Sequence, residues 1–288
     1  MHECILYKKE EKNVRCLACS HKCLITEGKT GICRVRKNID GKLYLLVYGK
    51  PAAVHVDPIE KKPLYHFLSG SKAFSIGTLG CNFKCSFCQN FDISQEWNEI
   101  SGENLSPEQA VEQAIRSGCK SIAYTYNEPA IFAEYVKDIS VLAKKKGLKN
   151  VWVSNGYLSK ECLEFMTKPE KLIDAINIDL KSFNEKFYNR LCKAKLQPVL
   201  KCIKEVHNAG IHLEITTLVI PKENDSEKEF EKIAEFIASI DKNIPWHISR
   251  FFPMYKMQDK EITSLEILKK AEKIGKEKGL KYVYLGNV

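Results

Sequence analysis

The stretch Thr78-Leu-Gly-Cys-Asn-Phe-Lys-Cys-Ser-Phe-Cys-Gln-Asn90 contains Cys81, Cys85 and Cys88 in a C-x3-C-x2-C arrangement. Three thiolates at this spacing can hold one iron–sulfur cube, although such clusters are normally bound by four cysteines. One iron would then lack a protein ligand, and an open metal position generally binds water or a substrate. The apolar run 73–79 directly before the cysteines is typical of a β-strand, so the cysteines are expected at a strand end.

Apolar and amphipathic segments alternate along the rest of the chain. Strands are predicted at 73–79, 121–126, 150–154, 175–180, 211–220 and 245–251, with a short last strand at 281–285. Ser106, Ser226 and Ser264 are placed to cap the helices between them. Such alternation predicts parallel pairing with right-handed crossovers, and no glycine-rich dinucleotide fingerprint follows the first strand. We therefore expect an α/β fold in which residues 73–288 form a partial (β/α)6 TIM-like barrel.

Polar side chains occur where several of these strands end, and barrels of this kind place their chemistry at the C-terminal strand ends. Each is ordinary alone, since an Asp-x-Lys is usually a surface ion pair and a lone histidine a satisfied core residue. Together, beside an open iron, they suit a ligand with an amine, a carboxylate, a ribose and an adenine, which S-adenosylmethionine (SAM) possesses. The candidates are Asn127, Glu128, Ser154, Asn155, Asp179, Lys181, Val219 and His247.

Residues 1–72 are predicted to form a separate cysteine-rich, metal-binding segment with short strands. Cys16, Cys19, Cys23 and Cys33 lie on glycine-bearing turns and could hold zinc tetrahedrally or a second iron–sulfur cluster. Reduced free thiols are the alternative. His21 and Cys4 are further ligand candidates, whereas the isolated cysteines later in the chain suit small buried side chains.

Composition sets the wider limits. With 44% apolar and 28% charged residues the chain is ordinary for a globular protein, and it has no apolar run long enough to span a membrane. The N-terminus lacks the apolar core of a secretory signal, so a cytoplasmic location is expected. The net charge of +9 raises the question of nucleic-acid binding. The lysines, however, are scattered over helical segments among glutamates, which favours a solvated surface.

The cysteine motif, with the aromatic Phe87 before its last cysteine, resembles the signature of the radical SAM superfamily. The downstream Asn127-Glu128-Pro129, Asp179-x-Lys181 and His247 resemble the branch of glycyl-radical-enzyme activases, such as the pyruvate formate-lyase activating enzyme. The chain also looks like the AmmeMemoRadiSam system radical SAM enzyme group, over nearly its whole length. That likeness is carried by Cys16-Leu-Ala-Cys19-Ser-His-Lys-Cys23, Gly31-Ile-Cys33-Arg-Val-Arg36, Asp57-Pro-Ile-Glu-Lys-Lys-Pro63 and Tyr284-Leu-Gly-Asn287.

This resemblance implies roles for the candidates. Cys81, Cys85 and Cys88 would bind a [4Fe-4S] cluster whose fourth iron is chelated by the amino and carboxylate groups of SAM. The remaining implied contacts are Phe87 with the cluster or adenine, Asn127 and Glu128 with the methionine amino group, Ser154 and Asn155 with the ribose, Asp179 and Lys181 with the ribose or carboxylate, Val219 with adenine, and His247 with the nucleoside. In activases a Gly-Gly-Glu stands where this chain has Asn127-Glu128.

The implied activity is that of an enzyme: reductive cleavage of SAM gives a 5′-deoxyadenosyl radical that abstracts hydrogen from a substrate. An electron donor such as ferredoxin or flavodoxin is expected, together with a protein substrate as in glycyl-radical activation. A nucleotide or a small metabolite is the alternative substrate. A zinc-dependent, non-enzymatic nucleic-acid-binding protein is the alternative from another class, but the basic residues show no cluster with interleaved aromatics.

Overall fold

The computed structural model describes residues 1–288. The strands are β1 (His2–Glu3), β2 (Tyr7–Glu10), β3 (Asn13–Cys16), β4 (Leu24–Ile25), β5 (Arg36–Ile39), β6 (Lys42–Leu45), β7 (Ala53–Pro58), β8 (Lys72–Gly77), β9 (Ser121–Tyr124), β10 (Lys149–Ser154), β11 (Ala175–Asp179), β12 (His212–Val219), β13 (Trp246–Arg250) and β14 (Val283–Gly286). The helices are α1 (Phe91–Ser94), α2 (Pro107–Arg116), α3 (Ala133–Lys145), α4 (Lys160–Thr167), α5 (Glu185–Phe187), α6 (Leu196–Asn208), α7 (Glu227–Ile240) and α8 (Leu265–Glu277). Shorter helical turns cover Ile59–Lys61, Pro129–Phe132 and Tyr188–Cys192. None of the helices combines the length and the apolar character that crossing a bilayer requires.

The central feature is an eight-stranded sheet in the order β14-β13-β12-β11-β10-β9-β8-β7. Neighbours from β8 to β14 pair in parallel, and β7 pairs antiparallel with β8. Strands β7 and β14 are the two ends of this order, so the barrel is open. The predicted partial α/β barrel is confirmed. The short seventh parallel strand, β14, extends the six expected repeats, and β7 adds an edge strand from the N-terminal segment.

The predicted helix signals act as expected. The Ser106 side chain accepts from the Gln109 N–H while the Gln109 side chain accepts from the Ser106 N–H, which caps α2 reciprocally. Ser226 and Ser264 cap α7 and α8 by accepting from N–H groups in the first turn. These caps satisfy backbone donors that would otherwise be unpaired at a helix start.

The linker before β8 closes the N-terminal end of the barrel. Ala123, Val151 and Ala175 lie in register on the inner face of neighbouring strands, and they form a small buried cluster with Ile59 and Leu64 from the linker. The linker, residues 59–71 between β7 and β8, forms the barrel floor, because its apolar side chains fit the narrow inner face of small residues.

The N-terminal segment contributes two small sheets, β1-β6-β5 and β2-β3-β4. A fully buried ion pair holds it to the barrel: Arg36 pairs with Glu134 of α3 and also donates from Nε to the Ile131 carbonyl at 2.7 Å. The Glu134 carboxylate accepts the N–H groups of Ile5 and Leu6 at 3.1 and 3.2 Å. The division of the chain into domains at residue 72 stays a prediction.

Removing one partner of this pair should be costly. We expect Arg36→Met to destabilise the protein by about 3–5 kcal/mol, because it leaves the Glu134 charge buried without its partner. Arg15→Met is the matched control, since the Arg15–Glu10 pair is partly exposed and such pairs contribute about 0–1 kcal/mol. Urea unfolding of both variants measures the difference. An equal loss in the free energy of unfolding for Arg36→Met and Arg15→Met would contradict the anchoring role of Arg36.

Candidate active site

The loop carrying Cys81, Cys85 and Cys88, called the cysteine loop (residues 78–90), follows β8 at the C-terminal mouth of the barrel. Backbone hydrogen bonds tie it to other connections: the Lys84 and Ser86 N–H groups donate to the carbonyls of Cys192 and Leu191, both at 2.9 Å. The Lys256 N–H donates to the Ser86 carbonyl at 3.0 Å. The cysteine loop, which follows β8, is therefore held in place by the connections after β11 and β13.

Asn127 braces the start of the cysteine loop. Its Nδ2 donates to the carbonyls of Thr78 and Gly80, both at 2.8 Å, and its Oδ1 accepts the Thr78 N–H at 3.3 Å. Both ends of the amide are thus committed to the backbone. The side chain therefore positions the loop, and the expected contact of Asn127 with the methionine amino group stays a prediction.

Glu128 is fully buried and supports the end of β10. Its carboxylate accepts from the Ala130 N–H (3.1 Å), the Asn155 N–H (2.8 Å) and the Ser154 hydroxyl (3.0 Å). Burial raises the pKa of Glu128 to about 7, although the hydrogen bonds from Asn155, Ala130 and Ser154 oppose that shift. Glu128 and Ser154 are therefore hydrogen-bonded to each other and Glu128 to nearby backbone, and their expected contacts with SAM stay predictions.

Asn155 directly follows β10, and its side chain reaches the cysteine loop. Its Nδ2 donates to Asn82 Oδ1 at 2.7 Å and lies 4.0 Å from Cys81 Sγ. Its Oδ1 accepts the Tyr157 N–H at 3.0 Å, which fixes the orientation of the amide. The first cysteine of the loop is thereby held next to the end of β10.

Asp179 and Lys181 lie together at the end of β11, with Lys181 Nζ 2.9 Å from Asp179 Oδ2. Burial lowers the pKa of Lys181, but the Asp179 carboxylate and the nearby sulfurs of Cys85 and Cys192 raise it by a larger amount. The resulting pKa lies well above the usual value for a lysine. Lys181 Nζ is 5.7 Å from the ring centroid of Phe87, which is itself buried against Phe187. The structure thus brings the Asp-x-Lys pair to the cysteine loop.

Val219 and His247 differ from the other candidates in where their side chains lie. Val219 ends β12, but it is fully buried and shares a strand face with Thr217, whose hydroxyl accepts from Trp246 Nε1 on the side of the sheet that α8 covers. His247 is only the second residue of β13, and its Nε2 lies 2.7 Å from Glu214 Oε2. The expected contacts of Val219 with adenine and of His247 with the nucleoside stay predictions.

Glu214 belongs to the closed end of the barrel. Its carboxylate accepts the N–H groups of Tyr65 and His66 in the linker and contacts the rings of His212 and His247. Burial raises the pKa of Glu214, but these four hydrogen bonds outweigh burial and lower it to about 2. An ionised Glu214 therefore fastens the floor to β12 and β13.

Cys192 is a residue that the sequence did not single out. The backbone pairing at Lys84 and Ser86 places its buried side chain against Cys85, and the hydrogen bond between the Cys85 thiol and Cys192, followed by burial, raises the pKa of Cys85. No local pattern links two cysteines so far apart in the chain. Once Cys85 binds iron as a thiolate it can only accept a hydrogen bond, and the Cys192 S–H would then be the donor to its sulfur.

The three loop thiols fit an iron–sulfur cluster. All of the cysteines are free, and Cys81, Cys85 and Cys88 lie on one loop with the amide of Asn155 and the ammonium of Lys181 nearby. No three His, Cys, Asp or Glu side chains converge on a single point. Three buried or half-buried thiols on one loop supply the thiolate donors by which proteins hold iron–sulfur clusters.

Comparison with known proteins agrees with this fold. The sequence profile of the radical SAM superfamily matches residues 75–237. An uncharacterized protein of Methanocaldococcus jannaschii is 43% identical over 291 residues, covering 100% of this chain and 86% of the other. A radical SAM methyltransferase from Sphaerobacter thermophilus has a similar structure, with a TM-score of 0.58 and 16% identity over 76% of this chain and 67% of that one. The chain belongs to the radical SAM superfamily and is an enzyme of that type.

Within the superfamily the chain is related to the activating enzymes. The pyruvate formate-lyase-activating enzyme of Clostridium pasteurianum is 26% identical over 217 residues, covering 69% of this chain and 87% of that enzyme. The predicted relation to glycyl-radical-enzyme activases is therefore confirmed.

The raised pKa of Glu128 predicts a pH dependence of stability. The stability that Glu128 contributes is fully present below pH 4.5 and is lost as pH rises through about 7, because the folded protein holds the proton more tightly. The loss relative to Glu128→Gln should reach about 3 kcal/mol, since a shift of one pKa unit corresponds to about 1.4 kcal/mol. Urea unfolding of the metal-free protein between pH 4.5 and 8 measures it, with the exposed Glu108→Gln as control. Parallel pH profiles for wild type and Glu128→Gln would contradict the shift.

A second prediction concerns Cys192. Cys192→Ala should keep the full iron content, because Cys192 is a hydrogen-bond donor rather than a ligand. The reduction potential of the cluster should fall by roughly 20–60 mV, since a net hydrogen bond of about 0.5–1.5 kcal/mol to the sulfur is lost. Iron analysis and an anaerobic redox titration test this. Loss of iron on substitution would instead make Cys192 a ligand.

Proposed function

We propose that this enzyme binds a [4Fe-4S] cluster at Cys81, Cys85 and Cys88 and cleaves SAM there to generate a 5′-deoxyadenosyl radical. The observation that carries the proposal is the convergence of the cysteine loop with Asp179 and Lys181 at the barrel mouth. The remaining predicted contacts at this site, Phe87 and Asn155, lie on or against the same loop.

The cluster, when bound, supplies the electron that breaks the bond between the SAM sulfur and the 5′-carbon of the adenosyl group. The residues of the chain itself bind SAM and orient it. Lys181 carries a firmly held positive charge that suits the SAM carboxylate, and Asp179, one-third exposed, has acceptor oxygens for ribose hydroxyls. Asn155 fixes Cys81 relative to β10, so that one sulfur of the loop keeps a constant position.

Exclusion of water is the other task of the protein, because a carbon radical must meet its substrate before solvent. Cys81, Cys85 and Phe87 are each less than one-tenth exposed, so the inner part of the loop is dry. The closed floor blocks water from the N-terminal end. The substrate itself would then cover the C-terminal mouth of the barrel and exclude water from it.

A protein segment is the substrate class that best suits this arrangement. The related activating enzyme is named for its action on pyruvate formate-lyase, a protein, and the barrel here is open between β7 and β14. A small electron-transfer protein such as ferredoxin or flavodoxin would supply the electron. The free, clustered cysteines suit a reducing compartment such as the cytoplasm.

Anaerobic reconstitution with iron and sulfide tests the proposed chemistry. Wild type and the distant Cys202→Ala control should bind about four irons at the loop and release 5′-deoxyadenosine from SAM under reduction. Cys85→Ala should release none, because one of its iron ligands is gone. Lys181→Ala should keep its iron while binding SAM more weakly. Undiminished product from Cys85→Ala would overturn the cluster assignment.

The substrate class has its own test. A candidate protein carrying deuterium at its glycine residues should transfer label into 5′-deoxyadenosine, and the same protein without deuterium is the control. Label arriving instead from a deuterated nucleotide or metabolite would replace the protein-substrate proposal while leaving SAM cleavage intact.

A further inference from the structure

The four cysteines of the N-terminal segment face one enclosed space. Cys16 ends β3, Cys19 and Cys23 lie in the turn before β4, and Cys33 precedes β5. The Cys16 N–H donates to the Cys23 carbonyl at 2.9 Å, and the Lys22 N–H closes the turn onto the Cys19 carbonyl at 3.0 Å. All four line a cavity of about 10 Å³. We propose that Cys16, Cys19, Cys23 and Cys33 bind one structural Zn²⁺ ion.

The size of the cavity favours a single ion over a cluster. A volume of about 10 Å³ holds roughly one water-sized sphere, and Zn²⁺ bound by four thiolates is a centre of that scale. An iron–sulfur cube would have to displace the surrounding side chains of Ile25 and Ile131, which are fully buried. The sulfurs do not yet converge on one point. Zinc binding therefore requires them to rotate inward, and the half-buried Cys23 has the most freedom to do so.

Two buried polar groups also line the cavity. Arg36 lies in the cavity wall, where its charge is balanced by Glu134. Asn82 is buried, and its Nδ2 has no hydrogen-bond partner in the protein, so it is free to donate to a thiolate. His21 is a weaker candidate ligand, because its Nε2 is engaged at 2.9 Å with the Asn82 carbonyl.

The position of the cavity gives the zinc a role. Asn82 lies next to Cys81, so the N-terminal cysteines and the cysteine loop share a wall. The contact is tight: a Cβ on Gly80 would lie only 2.5 Å from the Cys33 carbonyl oxygen. A zinc ion that fixes Cys33 therefore buttresses the loop that carries Cys81, Cys85 and Cys88.

Metal analysis of the full chain tests this site independently of SAM cleavage. The protein is purified from zinc-supplemented medium without reconstitution. The triple variant Cys81→Ala/Cys85→Ala/Cys88→Ala should retain about one zinc ion per chain and no iron. Cys16→Ser/Cys19→Ser should lose that zinc, and Cys202→Ala should keep it. Cobalt added to the triple variant should give the absorption of tetrahedral thiolate coordination.

The proposal is overturned by zinc that remains in the Cys16→Ser/Cys19→Ser variant, by iron and sulfide in the triple variant, or by the absence of any metal. Cys23→Ser and Cys23→His repeat the test if the double variant does not fold. Cys23→Ser should surrender zinc to a chelator that leaves the wild-type zinc in place. Cys23→His should hold it, because three cysteines and one histidine also form a zinc site.

Discussion

The structure depends on one constraint: the cysteine loop is fixed by backbone hydrogen bonds from strands other than its own. Lys84 and Ser86 donate to the connection after β11, and Ser86 accepts from the connection after β13. Asn127 adds side-chain bonds from the connection after β9. A loop held in this way keeps the spacing of its sulfurs without help from a metal. The partners of these bonds lie in connections that follow other strands. The loop therefore takes this conformation only when those strands are in place in the barrel.

Much of the fold could be predicted from the sequence. The alternation of strands and capped helices gave the parallel α/β order, and the positions of Ser106, Ser226 and Ser264 gave the helix starts. These features are local, because a cap or a hydrophobic run acts on its immediate neighbours. The barrel floor was missed since it depends on distant contacts: Ile59 and Leu64 have no nearby signal that pairs them with Val151 and Ala175.

The site was predicted less evenly. Asp179 and Lys181 meet the cysteine loop because both lie at the very end of β11, where the C-terminal rule applies directly. The rule concerns strand ends, whereas His247 lies near the start of β13 and contacts Glu214 of the floor, so its expected contact with the nucleoside stays a prediction. Asn127 and Glu128 sit in the right place, but their polar atoms are used by backbone and by Ser154. Which atoms a buried polar group bonds to is decided by tertiary geometry, which sequence spacing does not specify.

The floor formed by the linker has a consequence for the order of events in the active site. Glu214 bonds the Tyr65 and His66 N–H groups, and Ile59 and Leu64 fill the inner face of the sheet above them, so the lumen is closed at the N-terminal ends of the strands. A molecule bound at Asp179 can therefore exchange with solvent only at the C-terminal ends of the strands or through the gap between β7 and β14. A large partner that covered these openings would prevent exchange of the smaller molecule until the partner had left.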